Sequence, residues 1–275
     1  MNAVEASLFA GLVAICATLA IERWGGVVGG FVATLPSTIL PATWGLWSSV
    51  GPSGYRDAMA AVPFGMLVNA MFLHFWRIVP RNLPPRVHAR LGWTLALALT
   101  GWLVLALLSL LLLSLVRSAA PQALIPFALS IAAAAWIFGI VACLDGVPAP
   151  GGTRAVRPAV ILARGVLAAA AVGGAVHLGS LGLGIASGLC STFPAIFLTT
   201  MVSLWLAQGE GVPIGAIGPM MLGSTSVSAY ALLTCATIPA FGVLRGSGIA
   251  WLCAVSAVAA PSFLWLRRRR ARLSP

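Results

Sequence analysis

Nine runs of about twenty apolar residues follow one another along this chain, and a transmembrane helix needs a run of that length. They cover residues 3–21, 25–49, 57–79, 91–116, 121–144, 158–178, 180–207, 212–240 and 246–266. The links between them are short and carry turn residues, as in Gly51-Pro-Ser-Gly54, the stretch from Pro80 to Pro85, and Gly146 to Gly152. Such a chain has no polar stretch from which to build a soluble domain. It reads as an all-α integral membrane protein with nine transmembrane helices. Composition agrees: 60% of the 275 residues are hydrophobic and 8% are charged, against about 25% charged in soluble domains.

All sixteen basic residues are arginines, and they gather on alternate links. Twelve fall after runs 1, 3, 5 and 7 or in the tail (Arg23, Arg77, Arg81, Arg86, Arg90, Arg154, Arg157, Arg267 to Arg270, and Arg272). Only Arg56, Arg117 and Arg245 fall on the other side. Positive charge marks the cytoplasmic face. The reading is therefore an inner-membrane, multi-pass protein with its N-terminus outside and its C-terminus in the cytoplasm. The arginines cap apolar runs and form no patch on a polar domain, so nucleic acid is not an expected partner. Glu5 lies at the start of the first run, and no basic segment precedes it. That run reads as a retained helix, not as a signal peptide.

The chain also repeats itself. An offset of 158 residues lays 26–65 on 184–223 without a gap and gives ten identities in forty, including Thr34/Thr192, Pro36/Pro194, Trp47/Trp205 and Gly51/Gly209. About one in ten is expected from so Ala-, Leu- and Gly-rich a composition. Runs 1–4 map onto runs 6–9, and run 5 is left as a linker. Four crossings plus one turn the second unit over. The expected layout is two inverted four-helix repeats, residues 1–120 and 157–266, with a linker helix and cytoplasmic loop at 121–156 and a basic tail at 267–275. Inverted repeats of this kind are a signature of alternating-access transport.

The segment from Pro36 to Trp76, with its Pro36-Ser-Thr38 turn and its Phe64-Gly-Met-Leu-Val-Asn69 stretch, resembles the GlpM-like small membrane proteins. Phe193-Pro194-Ala-Ile-Phe-Leu198 is similar to their Phe-Pro helix start. The resemblance implies two four-helix units fused through run 5. It implies no substrate.

The repeated segments each run from glycines into a Ser/Thr cluster around proline. One holds Thr34, Pro36, Ser37 and Thr38; the other holds Ser191, Thr192, Pro194 and Thr199. A proline within a span removes a donor and frees a carbonyl, and in lipid that carbonyl must be met by protein, water or ligand. Half-helix starts also favour anions and carboxylates. The competing reading is close helix packing through Gly26/Gly30 and Gly184/Gly188. Asn69, Ser224 and Ser228 lie where neighbouring helices would supply further polar groups. Arg164 is the one charge well inside a run, and it either reaches the interface or binds an anion.

The five carboxylates all lie at run ends, so a carboxylate proton relay is not expected. The five cysteines stand singly, and no metal or cofactor motif occurs. No catalytic signature is present. Function therefore reads as a secondary transporter or facilitator for a small neutral or anionic solute. A non-transporting scaffold for envelope assembly and a membrane-embedded lipid-modifying enzyme are the rivals. Homo-oligomerisation is left open.

Overall fold

The computed structural model describes residues 1–24, 35–83, 87–144 and 158–273. Among these the chain is helical, with no strand. The helices are α1 (Ala3–Trp24), α2 (Leu40–Ile78), α3 (Val87–Ala119), α4 (Leu124–Leu144), α5 (Pro158–Ser180), α6 (Gly184–Ser191), α7 (Ala195–Gln208), α8 (Gly211–Ala254) and α9 (Ala260–Leu273). Hydrocarbon offers the backbone no hydrogen bonds, so each apolar segment satisfies its own amides by coiling.

Nine separate spans do not appear. Six helical stretches are long and apolar enough to cross a membrane, and Ala3–Leu19 is a shorter apolar helix. The molecule is a multi-pass membrane protein. The count differs for two reasons. Residues 25–34 lie outside the described residues. The runs on either side of Gly51, and those on either side of Gly242, are also joined into the single long helices α2 and α8.

Both long helices double back. Gly51 (φ 66, ψ 174) and Gly242 (φ 77, ψ 168) are left-handed, a conformation that costs glycine nothing. In a straight helix Trp47 and Tyr55 would stand about 12 Å apart along the axis. Instead their rings meet edge to face at 5.1 Å. Thr237 and Gly246 would stand about 13 Å apart, yet the Thr237 hydroxyl donates to the Gly246 carbonyl at 2.9 Å. Gly209 (φ 87), between α7 and α8, makes a third left-handed corner.

The packing centres on α2. In an 18-residue apolar stretch of α2 78% is buried, against 6% in that of α3, whose leucines face outward. Helices α1 and α5 run antiparallel. Ser7 packs on Gly173, Gly11 on Ala169, and Ile15 on Gly165. Helix α6 lies along α2, with Gly184 against the Gly54 carbonyl and Gly188 against the Ala58 carbonyl.

Polar contacts close the two ends. At one, Arg90 pairs with Glu210 at 2.9 Å, and Arg269 donates to the Leu144 carbonyl at 3.0 Å. At the other, Arg117 pairs with Asp57 at 2.7 Å, and the N-terminal amine donates to Ser48 at 3.1 Å. These are the same groupings into which the arginine distribution sorts the links.

Candidate functional site

The site forms where a helix is broken. Between α6 and α7 the chain leaves helical geometry at Thr192 (ψ 9) and Pro194 (ψ 40). Proline removes the amide that would continue the ladder, and the freed carbonyls find other donors. The Leu189 carbonyl accepts from the Thr192 amide at 3.1 Å and from its hydroxyl at 2.6 Å. The Cys190 carbonyl accepts from the Phe193 amide at 3.0 Å. The Thr192 carbonyl is met from across the bundle by the Asn69 side-chain amide at 2.8 Å. Asn69 is itself held, because Trp102 on α3 donates its indole N–H to the Asn69 Oδ1 at 2.8 Å.

Against this break lies a cavity of about 90 Å³. Its walls come from the Leu35–Ile39 turn, the Met66–Asn69 face of α2, the Ala168–Val172 face of α5, residues 191–197, and Ser224 and Val227 of α8. None of the described lining residues is charged. Polar groups come from Thr38, Asn69, Ser191, Thr192 and Ser224. Three of those hydroxyls are turned onto their own helices: Ser191 donates to Gly188, Thr192 to Leu189, and Ser224 to Met221. Helix α7 has no side-chain cap, and its first residues, Ala195 to Phe197, line the cavity. The Ala195 amide donates to the Phe193 carbonyl at 2.8 Å; the next two, of Ile196 and Phe197, are the kind of group that receives a carbonyl, hydroxyl or anion.

Of the twelve residues expected at a site, Thr38, Asn69, Ser191, Thr192, Pro194 and Ser224 line this cavity. Thr34 lies outside the described residues. Pro36 is buried in the turn beside the cavity and does not line it. Ser37 accepts from the Trp251 indole at 3.3 Å. Ser228 is fully buried one turn beyond Ser224, and its hydroxyl has no partner.

Arg164 and Thr199 are brought together elsewhere. The guanidinium donates through Nε to Thr199 at 2.8 Å, through Nη1 to Thr18 at 2.9 Å, and through Nη2 to Thr200 at 2.9 Å. It is 4% exposed. Both Arg164 and Thr199 lie off the cavity wall, tying α1, α5 and α7 together one turn below Ala168. Three of the guanidinium's donors are committed to hydroxyls.

Trp102, Met66 and Phe193 were missed by sequence reasoning. The 158-residue offset carries the signal that finds two of them. Ten lining residues form five pairs at that offset: Leu35/Phe193, Thr38/Ile196, Ile39/Phe197, Met66/Ser224 and Asn69/Val227. Trp102 has no such signal. Among the described residues, no three His, Cys, Asp or Glu side chains converge as metal ligands would.

No family model, curated protein or solved structure matches this chain.

Proposed function

We propose that this protein is a secondary transporter or facilitator for a small neutral or anionic solute. It is built as two inverted four-helix units, with α4 as the linker, and the cavity at the Thr192–Pro194 break is its binding site. The observation that carries the proposal is the pairing of the cavity walls. Lining residues an equal distance apart in sequence are what an axis relating two halves would produce, and alternating-access proteins hold their substrate at such an interface.

The α1–α5 contact supports an axis in the membrane plane. The offset carries Ser7 to Gly165 and Ile15 to Gly173, so the contacts Ser7–Gly173 and Ile15–Gly165 exchange with each other. Gly11 is carried to Ala169, its own contact. Exchange of this kind is what a two-fold axis imposes on an interface. Because the two helices are antiparallel, that axis lies across them. Gly51 and Gly209, also one offset apart, share ψ values of 174 and 175.

The uncharged lining favours a neutral polar solute of a few heavy atoms over a strongly charged one, since desolvating an ion without a partner is costly. We place the protein in the inner membrane, with Arg90 and Arg269 in the cytoplasm, on the arginine bias. The test is solute-driven volume change in proteoliposomes across a panel of neutral and anionic solutes. Flux that Ser224→Phe abolishes by filling the cavity supports the reading. Absence of flux for every solute and gradient removes it.

A further inference from the structure

Three hydroxyls lie in the driest part of the molecule without a hydrogen bond. Thr43, Tyr55 and Tyr230 are each at most 1% exposed, and none has a partner; Ser228 is a fourth. The Tyr55 hydroxyl faces Thr43 and Thr234, and that of Tyr230 faces Thr43 and Ser247, close enough to interact but not in hydrogen-bond geometry. Buried polar groups are nearly always paired, so four unpaired hydroxyls in one region require a reason.

Their placement supplies one. A single packed cluster joins the cavity walls Ile39, Met66 and Val227 to Tyr55 and Tyr230. Ser228 is one turn beyond Ser224, and Thr43 one turn beyond Ile39. Tyr55 follows the Gly51 corner, next to Arg56 and Asp57 at the end of the bundle that Arg117 closes. Along their helices the unpaired hydroxyls thus run from beside the cavity toward that end.

Packing does not demand them. At the positions related by the 158-residue offset, Thr43, Ser228 and Tyr230 are replaced by Met201, Ala70 and Phe72, which sit together in another buried cluster. The same backbone surroundings accept apolar side chains, and for Tyr230 the change is one oxygen atom.

We infer that Ser228, Thr43, Tyr230 and Tyr55 line a hydrated route from the cavity to the Arg117 end, and that this structure holds the route shut. The inference rests on the transport reading for its purpose. Hydroxyls that are unpaired in the shut state are satisfied by water or solute in the open one, and the apolar counterparts make the opposite half-route chemically different.

The test is side-specific labelling of full-length protein in sealed vesicles with a charged, membrane-impermeant methanethiosulfonate. Modification is read at each cysteine by peptide mass spectrometry, so the native cysteines stay in place. Ser228→Cys and Thr43→Cys are expected to react from the Arg117 side about tenfold faster than Ala70→Cys, because a minor open state of a few per cent suffices for modification. Tyr230→Phe keeps the packing. It is expected to raise the melting temperature and slow Ser228→Cys labelling about fivefold, by removing an unpaired hydroxyl from the shut state and a hydrated one from the open state. The inference is overturned if Ser228→Cys and Thr43→Cys react no faster than Ala70→Cys, or if Tyr230→Phe leaves the labelling rate unchanged. Labelling as expected without any solute flux would refute transport and leave the route. Flux with these positions unmodified would do the reverse.

Discussion

The side-chain amide of Asn69 donates to the backbone carbonyl of Thr192 at 2.8 Å, 123 residues away in sequence. That carbonyl is one that the Thr192–Pro194 break leaves without a helical partner. Trp102 completes the arrangement by donating to the other end of the same amide. One side chain therefore stabilises an interruption that would otherwise leave a bare carbonyl in an apolar interior.

Asn69→Leu is expected to lower stability by about 1–3 kcal/mol, the cost of leaving buried polar groups unpaired. Asn69→Asp keeps the acceptor for Trp102 but loses the donor to Thr192, and is expected to destabilise as well. Thermal unfolding of the detergent-purified protein measures both. A wild-type melting temperature for Asn69→Leu would show that the bond does not hold the break.

Glycine matters here by contact, not only by flexibility. A Cβ on Gly188 would strike the Ala58 carbonyl, with its carbon at 2.8 Å, whereas a Cβ on Gly248 meets nothing within 4 Å. Gly188→Ala is expected to cost about 1–3 kcal/mol by overpacking. Gly248→Ala, in an open helical position, is expected to be neutral or to stabilise by up to about 1 kcal/mol. Melting temperatures of the two variants should move apart; equal shifts would refute the packing role of the α6–α2 contact.

Arg164 is expected to act as a structural clamp. Its planar fork reaches three threonines on two other helices, and an ammonium cannot reproduce that geometry. Arg164→Lys should therefore lose about 1–3 kcal/mol of stability while leaving the affinity for any transported solute near wild type. A variant with an unchanged melting temperature but abolished solute binding would move Arg164 into the site.

The side on which each end lies is open to a direct experiment. Reporter fusions at residues 51–57 and at the C-terminus should report opposite sides, with the tail cytoplasmic. The Arg117–Asp57 and Arg90–Glu210 pairs close opposite ends. A cytoplasmic 51–57 link would invert the assignment drawn from the arginines.

Much of the candidate site was legible in the sequence because proline and its neighbouring threonines act locally. Pro194 and its neighbouring hydroxyls mark a place where a helix can break or kink, and residue types alone do not choose between the two, since Pro63, Pro219 and Pro239 stay inside helices. Asn69 was legible for a related reason, since an amide in the middle of an apolar run needs a partner. Where Arg164 reaches is not legible in the sequence, because a long side chain serves whatever hydroxyls its neighbours present. Those neighbours, Thr18 and Thr199, stand 146 and 35 residues away. Trp102 carries no sequence signal of its own, because its indole meets Asn69, 33 residues away on another helix.

The sequence by itself determined that this chain is a bundle of membrane-length helices, which segments carry prolines that can interrupt them, and which positions are offset by 158 residues. Those properties follow from hydropathy, backbone hydrogen bonding and the local action of proline and glycine. Only the tertiary structure decided that Gly51 and Gly242 turn helices back, that offset positions meet around one cavity, and that Arg164 is committed to threonines away from it. Each of these depends on which faces of distant helices come into contact, and periodicity along a uniformly apolar helix carries no record of that choice.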